Sequence, residues 1–276
     1  MLQKKGKPKI VAVTYQKGGV GKSSISVNLS AFLAWKGNKV LLIDGDRHCT
    51  ASHYLGVHDE KRLGFYDVVV GNCTLDEAIQ TKNFSPSGEN IRPYKAFELS
   101  VIPAYDNIGE KETELKNLLD WHHLLRSALD SSNAINEYEY IIIDCPPESD
   151  IFLPIIYNAA DYFILSMFPE SQPLGNMGIS YEQIYTLSDE GKDINILGCV
   201  ITNYEKSESQ DIIINKIRSA DYIHCFDTII PRYKFYDTTV LNHMPVVVYF
   251  KEYNVGEKLY YAFSHFTDEI INFFND

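Results

Sequence analysis

The sequence lacks the features that mark membrane-spanning, secreted and disulfide-bonded proteins. No apolar run reaches the roughly 18 residues that a membrane span requires, and no hydrophobic segment follows the basic N-terminal stretch as it would in a signal peptide. Cysteine is scarce and odd in number, and no CxxC pair occurs among Cys49, Cys73, Cys145, Cys199 and Cys225. These cysteines indicate neither a zinc site nor a disulfide framework, so we expect a cytoplasmic protein in a reducing compartment.

Internal repeats, low-complexity tracts and long blocks of one charge are also absent. The 276 residues are 45% hydrophobic, which is enough to bury one substantial core, so we expect residues 1–276 to form a single domain. The net charge of −12, from 25 basic and 37 acidic residues, does not favour nucleic-acid binding by overall attraction. Such binding depends on local basic patches, however, and the net charge does not exclude them.

Apolar, strand-like segments alternate with helical stretches along the chain. This alternation predicts an α/β fold, with a doubly wound, mostly parallel sheet and helices on both faces. Thr81–Phe97, which contains two prolines and a glycine, is predicted as a surface loop. Strands are predicted at Ile10–Thr14, Val40–Asp44, Leu99–Pro103 and Tyr138–Asp144, with others beginning at Tyr162 and Ile194. Helices are predicted at Ser24–Trp35, Glu110–Leu129, Gln210–Ala220 and Val255–Phe274.

The glycine-rich stretch KGGVGKSS is the most informative segment. It lies where the first predicted strand turns into the first predicted helix, so its glycines can let several N–H groups and the helix N-terminus converge on one anion. In such a phosphate-binding loop, Lys22 reaches the β- and γ-phosphates and the Ser23 hydroxyl binds Mg²⁺. We therefore predict a nucleotide-binding loop made of Lys17, Gly18, Gly19, Val20, Gly21, Lys22, Ser23 and Ser24.

Three aspartates follow predicted strands. Asp44 ends one apolar strand, Asp46 lies in the turn after it, and Asp144 ends a run of three isoleucines. The carboxyl ends of parallel strands are where ligands bind in doubly wound sheets. Asp144 is therefore the predicted carboxylate that holds Mg²⁺ through water or through Ser23. A lone loop histidine is usually solvated or structural, so His48 is not predicted to be a general base.

A single lysine suffices for a phosphate loop, and the second one, Lys17, gives the pattern KGGxGK[ST]. In this pattern the chain resembles the ParA/MinD family of ATPases. The resemblance implies ATP and Mg²⁺ as cofactors, and a homodimer with ATP in which Lys17 crosses to the partner's nucleotide. It also implies that Asp46 positions the attacking water and that Asp44 supports the Mg²⁺ site. The chain departs from the family in Arg47–Thr50, RHCT in place of PQGN.

Later segments extend the resemblance over nearly the whole chain. Glu170 stands in the family's P-x-E region, where ribose and dimer contacts are made, and Thr202 and Asn203 end a strand that lies near the adenine in relatives. Pro231 and Arg232 correspond to a segment that borders the base. The resemblance therefore implies that these five residues contribute to nucleotide binding.

Members of this family bind either a membrane or DNA, and the charge of the last predicted helix indicates which of the two this chain binds. MinD-like relatives end in a basic helix that binds anionic lipid, whereas Glu257, Asp268 and Glu269 lie on the polar face of this one. We therefore expect no membrane binding and a ParA-like, nucleoid-associated protein that binds nonspecific DNA and a ParB-like, centromere-binding partner. The candidate DNA contacts are Lys206, Lys216, Arg218, Arg232, Lys234 and Lys251.

Three other functions remain open from sequence. The chain could be a MinD-like or protein-cargo-positioning ATPase, a bacterial tyrosine kinase of related fold, or a scaffold that binds ATP without turnover. The 19 tyrosines are scattered rather than clustered at the C-terminus, and kinases of this type normally lack a counterpart of Lys17. The presence of Asp46 argues against the scaffold function, because a protein that does not hydrolyse ATP has no need of a residue that positions the attacking water.

Overall fold

A computed structural model describes residues 7–58, 63–86, 94–105, 115–147, 150–170, 173–189 and 191–275. The strands are β1 (Lys9–Thr14), β2 (Val40–Asp44), β3 (Gln80–Phe84), β4 (Phe97–Ile102), β5 (Tyr140–Asp144), β6 (Tyr162–Met167), β7 (Asn195–Tyr204) and β8 (Cys225–Pro231). They form one sheet in the order β3-β4-β2-β5-β1-β6-β7-β8. All neighbours are parallel except β3 and β4, which confirms the predicted mostly parallel sheet.

Helices cover both faces of this sheet, as predicted. They are α1 (Lys22–Trp35), α2 (Thr50–Leu55), α3 (Phe65–Val69), α4 (Leu75–Ala78), α5 (Leu124–Ser131), α6 (Phe152–Ala159), α7 (Pro173–Leu187), α8 (Glu208–Arg218), α9 (Tyr236–Leu241), α10 (Val246–Tyr253) and α11 (Glu257–Asn275). Short 3-10 helices occupy Trp121–His123 and Ala134–Glu137.

The central strands β1, β2, β5 and β6 are buried on both faces, which explains their continuous apolar runs. In β1, Ala12 packs into the core on one side of the sheet, whereas Val11 and Val13 pack into the core on the other. The register pairs Val13 of β1 and Asp44 of β2 with the same residue, Asp144 of β5. The two strand-end aspartates are therefore brought side by side by strand pairing alone.

The last helix packs against α1 and against β8 of the sheet. Phe263 of α11 stacks on Phe32 of α1, with ring centroids 6.2 Å apart, and Tyr260 lies 5.4 Å from the same ring. Phe266 and Ile270 are fully buried. Among the residues that the structure describes, no helix is long and apolar enough to cross a membrane.

Two secondary-structure predictions are wrong. The predicted loop Thr81–Phe97 overlaps β3, which pairs antiparallel with β4 at the edge of the sheet. Its residues 87–93, including Gly88, lie outside the described residues. The helix predicted at Glu110–Leu129 is interrupted, because Asp120 has a left-handed φ of 52° and the 3-10 helix follows before α5 begins. Residues 110–114 of that prediction lie outside the described residues.

Candidate functional site

The predicted phosphate loop connects β1 to α1 at the carboxyl edge of the sheet. Gly19 and Gly21 have φ values of 75° and 87°, which side chains rarely allow, so glycine is required at both positions. Between them, the carbonyl of Val20 accepts hydrogen bonds of 2.7 Å from the hydroxyls of Ser166 and Thr202. These two hydroxyls come from the ends of β6 and β7, so the neighbouring strands fix the shape of the loop.

The loop leads directly into the first turn of α1. Gly21 is the N-cap residue and has no side chain to satisfy the first N–H groups of the helix. Unsatisfied N–H groups and the positive end of the helix dipole favour an anion at this point. The loop can therefore hold a phosphate group with backbone donors.

The two lysines of the loop lie in different environments. Lys22 is only 7% exposed, and its ammonium donates to the carbonyl of Lys17 at 3.3 Å. The side chain of Lys17 is 55% exposed and forms an ion pair with Glu170. Asn176 of α7 donates to the other carboxylate oxygen of Glu170 at 2.7 Å. Lys22 is thus directed into the loop and Lys17 lies on its surface.

Asp144 at the end of β5 is fully buried beneath the loop. Its Oδ1 accepts a hydrogen bond of 3.0 Å from Ser26 of α1, whereas its Oδ2 has no hydrogen-bond partner among the described residues. Burial raises the pKa of Asp144 well above its ordinary value, repulsion from Asp44 adds to the shift, and the nearby hydroxyl of Ser23 opposes it. A buried carboxylate oxygen without a donor is a ready ligand for a cation.

Asp44 is also fully buried, but both of its oxygens are engaged. Oδ2 accepts from the backbone N–H of Ser52 at 2.8 Å and from its hydroxyl at 2.6 Å. Oδ1 accepts from the backbone N–H of Asp46 at 3.1 Å. Asp44 therefore fixes the turn that carries Asp46 and the start of α2. Burial is the main cause that raises its pKa, to about 6, and the hydrogen bonds from Ser52 oppose the rise.

Asp46 lies at the wall of the cleft and is 7% exposed. Its Oδ1 accepts the backbone N–H of His48 at 3.0 Å, which leaves the other oxygen directed away from that bond. Burial raises the pKa of Asp46, and the His48 N–H and the positive charge of Lys22 act against this rise. Asp46 is therefore a partly desolvated carboxylate with a fixed orientation.

The oxygen ligands available at the carboxyl edge of the sheet fit Mg²⁺. The hydroxyl of Ser23 and the free oxygen of Asp144 are hard oxygen ligands, the type that Mg²⁺ prefers. Three buried carboxylates in one place repel one another and carry an uncompensated desolvation cost, as the raised pKa values of Asp44, Asp46 and Asp144 indicate. A divalent cation bound to Ser23 and Asp144 would offset part of that cost.

A cleft of about 1060 Å³ runs from the loop toward the ends of β7 and β8. Most of the predicted nucleotide contacts line it: Gly18, Gly19, Gly21, Lys22, Ser23, Ser24, Asp46, Thr202, Asn203, Pro231 and Arg232. Lys17 and Glu170 pair with each other. The carbonyl of Val20 is held by Ser166, and Asp44 is held by Ser52. Asp144 faces the hydroxyl of Ser23. Tyr236, which sequence reasoning missed, also lines this cleft.

The candidate DNA contacts are spread over several elements. Lys206, Lys216 and Lys234 are exposed, and Lys234 also lines the cleft. Arg218 donates to the carbonyl of Asp227 at 2.8 Å. Arg232 pairs with Glu205 at 2.6 Å, and the ammonium of Lys251 lies 4.8 Å and 4.9 Å from the ring centroids of Trp35 and Tyr260.

Three residues that position the carboxylates were missed by sequence reasoning. Ser26 and Ser52 donate to Asp144 and Asp44, and serine in a helix gives no signal that would single it out. The third is Gly45, whose backbone N–H donates to the Asp144 carbonyl at 3.0 Å. A Cβ there would lie 2.5 Å from Ile156 and 3.0 Å from that carbonyl oxygen. The glycine between Asp44 and Asp46 was the signal that the sequence offered.

Replacing Gly45 with alanine should destabilise the protein, because either buried Ile156 or the chain around Asp144 must move. Overpacking of this kind costs about 1–3 kcal/mol, measurable as a lower Tm and a lower urea midpoint. Gly178 of α7 is exposed with nothing within 4 Å, and its replacement by alanine should be neutral or stabilising by up to about 1 kcal/mol. Equal effects of the two substitutions would contradict the close approach at Gly45.

Comparison with known proteins identifies the family to which the chain is similar. Residues 8–197 match the family model described as AAA domain. The chromosome partitioning protein ParA of Caulobacter vibrioides is 30% identical over 228 residues, which span 81% of this chain and 80% of that protein. The sporulation initiation inhibitor protein Soj of Bacillus subtilis is 28% identical over 244 residues, or 87% of this chain and 91% of Soj.

Solved structures share the fold over nearly the whole chain. McdA of Cyanothece, solved as an ATP complex, has a TM-score of 0.76 at 18% identity, with 96% of this chain and 97% of that one covered. A putative plasmid partition protein of Borrelia burgdorferi, solved with AMPPNP, has a TM-score of 0.74 at 21% identity, with 97% and 98% covered. Taken with the sequence matches, these similarities show that the chain belongs to the ParA/Soj family of partition ATPases.

Proposed function

We propose that the protein is a Mg²⁺-dependent ATPase that dimerises with ATP, binds DNA of any sequence as the dimer, and leaves it after hydrolysis. The observation that supports this most directly is the difference in burial between the two loop lysines. Lys22 is buried in the loop, whereas the side chain of Lys17 is exposed at its surface and pairs with Glu170. An exposed lysine beside the phosphate site is in a position to serve a second subunit.

Within one subunit, the proposed chemistry follows from the contacts of the site. Backbone N–H groups of the loop and the ammonium of Lys22 bind the β- and γ-phosphates. Ser23 and Asp144 would hold Mg²⁺, which would supply positive charge to offset that of the phosphates. Asp46 orients the attacking water, since its partly buried carboxylate accepts the His48 N–H through one oxygen and retains the other.

Lys17 completes the partner's site in this proposal. The Lys17 side chain is 55% exposed and that of its partner Glu170 is 16% exposed. Ion pairs at the surface are worth only about 0–1 kcal/mol, so the lysine is released at low cost. In an ATP dimer it would approach the phosphates of the other subunit and offset the charge that develops there in the transition state. Glu170 therefore stabilises the position of Lys17 in the single subunit without opposing dimerisation strongly.

In the proposed ATPase cycle, the protein changes between monomer and dimer. ATP shifts the population toward the dimer and hydrolysis returns it to the monomer, so slow turnover is compatible with function. We further propose that a ParB-like, DNA-bound partner stimulates hydrolysis, with a basic segment docking on the acidic surface of this protein. The dimer would then associate with the nucleoid in the cytoplasm.

The proposed DNA surface consists of basic residues in the C-terminal half. Arg218, Arg232 and Lys234 are exposed, and the contacts of the two arginines, to Asp227 and Glu205, are at the surface and weakly held. Binding would come from neutralised phosphates, so it would be independent of sequence and would fall steeply with salt.

Replacing Arg218, Arg232 and Lys234 together with alanine should weaken binding of the ATP dimer to all DNA sequences about equally. The slope of log affinity against log salt should decrease by about 1 for each phosphate that the variant no longer neutralises. Gel-shift titrations at several salt concentrations measure both effects, and nucleotide binding is measured separately because Arg232 and Lys234 line the cleft.

A matched control removes three positive charges elsewhere. Lys9 begins β1 and Lys39 precedes β2 at the opposite edge of the sheet, and Lys36 follows α1. Their joint replacement by alanine should leave the salt slope unchanged. If the two triple variants showed the same drop in DNA affinity, overall charge rather than this surface would be responsible, and if the wild-type ATP dimer bound no DNA at low salt, the DNA proposal would be wrong.

A further inference from the structure

A second cluster of ligand-type side chains lies away from the nucleotide cleft. His122 and His123 belong to the 3-10 helix Trp121–His123, and Asp189 lies between the end of α7 and the start of β7. Parallel strands begin at the edge of the sheet opposite to the phosphate loop, so this cluster is at the other end of the molecule. None of its three residues takes part in the proposed ATPase chemistry.

The spacing of the three side chains is that of a metal site. Nε2 of His122 lies 3.5 Å from Oδ1 of Asp189, and Nε2 of His123 lies 3.1 Å from Oδ2. All three ligand atoms lie within 4.8 Å of one another. In a tetrahedral site with bonds of about 2.0–2.1 Å, neighbouring ligand atoms are about 3.3 Å apart. The two separations, each to a different carboxylate oxygen of Asp189, lie on either side of that value, so rotation of the side chains can bring all three around one cation.

The backbone around Asp189 is fixed by hydrogen bonds that do not use its carboxylate. Its N–H donates to Oδ1 of Asn158 at 2.8 Å, and its carbonyl accepts from the N–H of Lys192 at 3.2 Å. The amide of Asn158 also donates to the carbonyls of Pro154 and Leu187 at 2.9 Å and 3.1 Å. The carboxylate takes no part in these backbone bonds and faces the two histidines.

The two histidines are held in a similar way. The N–H of His123 donates to the carbonyl of Asp120 at 2.9 Å, which closes the 3-10 turn. The two imidazole rings lie 4.4 Å apart, and Trp121 packs edge-on against His122 at 5.9 Å. Both histidine side chains are about one-third exposed, at 34% and 39%, so an ion has access to them. The cluster combines fixed ligands with an open side toward solvent.

We propose that His122, His123 and Asp189 form a binding site for a late first-row divalent cation, with Zn²⁺ the best-matched ion. Two imidazoles and one carboxylate suit zinc and its neighbours, whereas Mg²⁺ and Ca²⁺ prefer oxygen ligands alone. Three protein ligands leave at least one coordination position for water or for a group from outside the chain. The bound ion connects the 3-10 helix to the end of α7 and stabilises the fold at that end.

The test titrates untagged, full-length protein with Co²⁺, a coloured probe that substitutes for Zn²⁺, in excess Mg²⁺ to occupy the oxygen site. We expect one Co²⁺ per chain, displaced by Zn²⁺, and affinity that falls about tenfold or more in His123→Ala and in Asp189→Asn because each variant removes one of three ligands. His265→Ala, which removes an exposed histidine on α11, should bind Co²⁺ as the wild type does.

The melting temperature is a second measurement, and it distinguishes loss of the metal site from a folding defect. Zn²⁺ should raise the Tm of the wild type and of His265→Ala, but not that of the doubly substituted His123→Ala, Asp189→Asn protein, since only a ligand that binds the native state stabilises it. Tm without metal and ATP affinity check that the double variant is folded. Equal Co²⁺ affinity in all variants, a spectrum typical of thiolate ligands, or no binding at millimolar Co²⁺ would overturn the proposal.

Discussion

Replacing Asp46 with alanine should lower ATP hydrolysis by about 10²-fold or more, the usual contribution of a positioned acid–base group, while ATP binding is retained. The carboxylate is 7% exposed and fixed by the His48 N–H, so no solvent molecule can reproduce its orientation. Because ATP is bound but not consumed, the variant should accumulate as the ATP dimer. Single-turnover hydrolysis and size-exclusion chromatography with Mg²⁺-ATP measure the two effects.

A neighbouring substitution separates the role of Asp46 from that of its loop. His48 lines the same cleft, and the hydrogen bond that orients the carboxylate of Asp46 comes from its backbone N–H, which alanine retains. His48→Ala should therefore hydrolyse ATP at close to the wild-type rate. If His48→Ala were as inactive as Asp46→Ala, the histidine would be the base and the assignment of Asp46 would be wrong.

Replacing Lys22 with alanine should abolish measurable ATP binding. A hydrogen bond to a charged group is worth about 1.5–3 kcal/mol, so removing the bonds to two phosphates corresponds to about 10²- to 10⁴-fold in affinity. Lys22 is buried at the start of α1, where water cannot replace the ammonium. Isothermal titration calorimetry with a nonhydrolysable ATP analogue measures the affinity.

The control for that experiment is Lys39→Ala. Lys39 is also a lysine, but it lies before β2 and pairs with Glu98 at 2.6 Å on the surface. Its removal changes the net charge by the same amount and should not alter nucleotide affinity. Wild-type affinity in Lys22→Ala would show that the loop is not the phosphate site.

The core of the site was predictable because it is local in sequence. The loop, the strand before it and the helix after it form one continuous segment, so their arrangement follows from residue spacing. The positions of Asp44 and Asp144 required only that both strands be parallel and end at the same edge. Each of these predictions depended on backbone geometry that short motifs fix.

The supporting contacts were not predictable because they join distant segments. Ser26 and Asp144 are 118 residues apart, and Val20 and Thr202 are 182 apart; nothing near either residue indicates its partner. The edge strand β3, with the sequence QTKNF, was missed because it is polar and alternates in exposure. Its pairing with β4, rather than its own composition, makes it a strand.

The central claim is that Lys17 acts across a dimer interface, and a mixture of two inactive variants tests it. Lys17→Ala and Asp46→Ala should each lack hydrolysis alone. In a mixed dimer, the Lys17→Ala subunit retains its own Asp46 and receives Lys17 from the Asp46→Ala subunit, so one of its two sites is complete. With random pairing of equal amounts, the symmetry of the dimer predicts about a quarter of the wild-type ATPase rate.

The measurement is steady-state ATP hydrolysis of that mixture, with mixed dimers verified by capture through a tag on one variant. Recovery to about a quarter of the wild-type rate is the result the account predicts. If mixed dimers are captured but the mixture remains inactive, Lys17 acts within its own subunit, and if the wild type forms no dimer with ATP, there is no interface for it to cross. Either result would contradict the account.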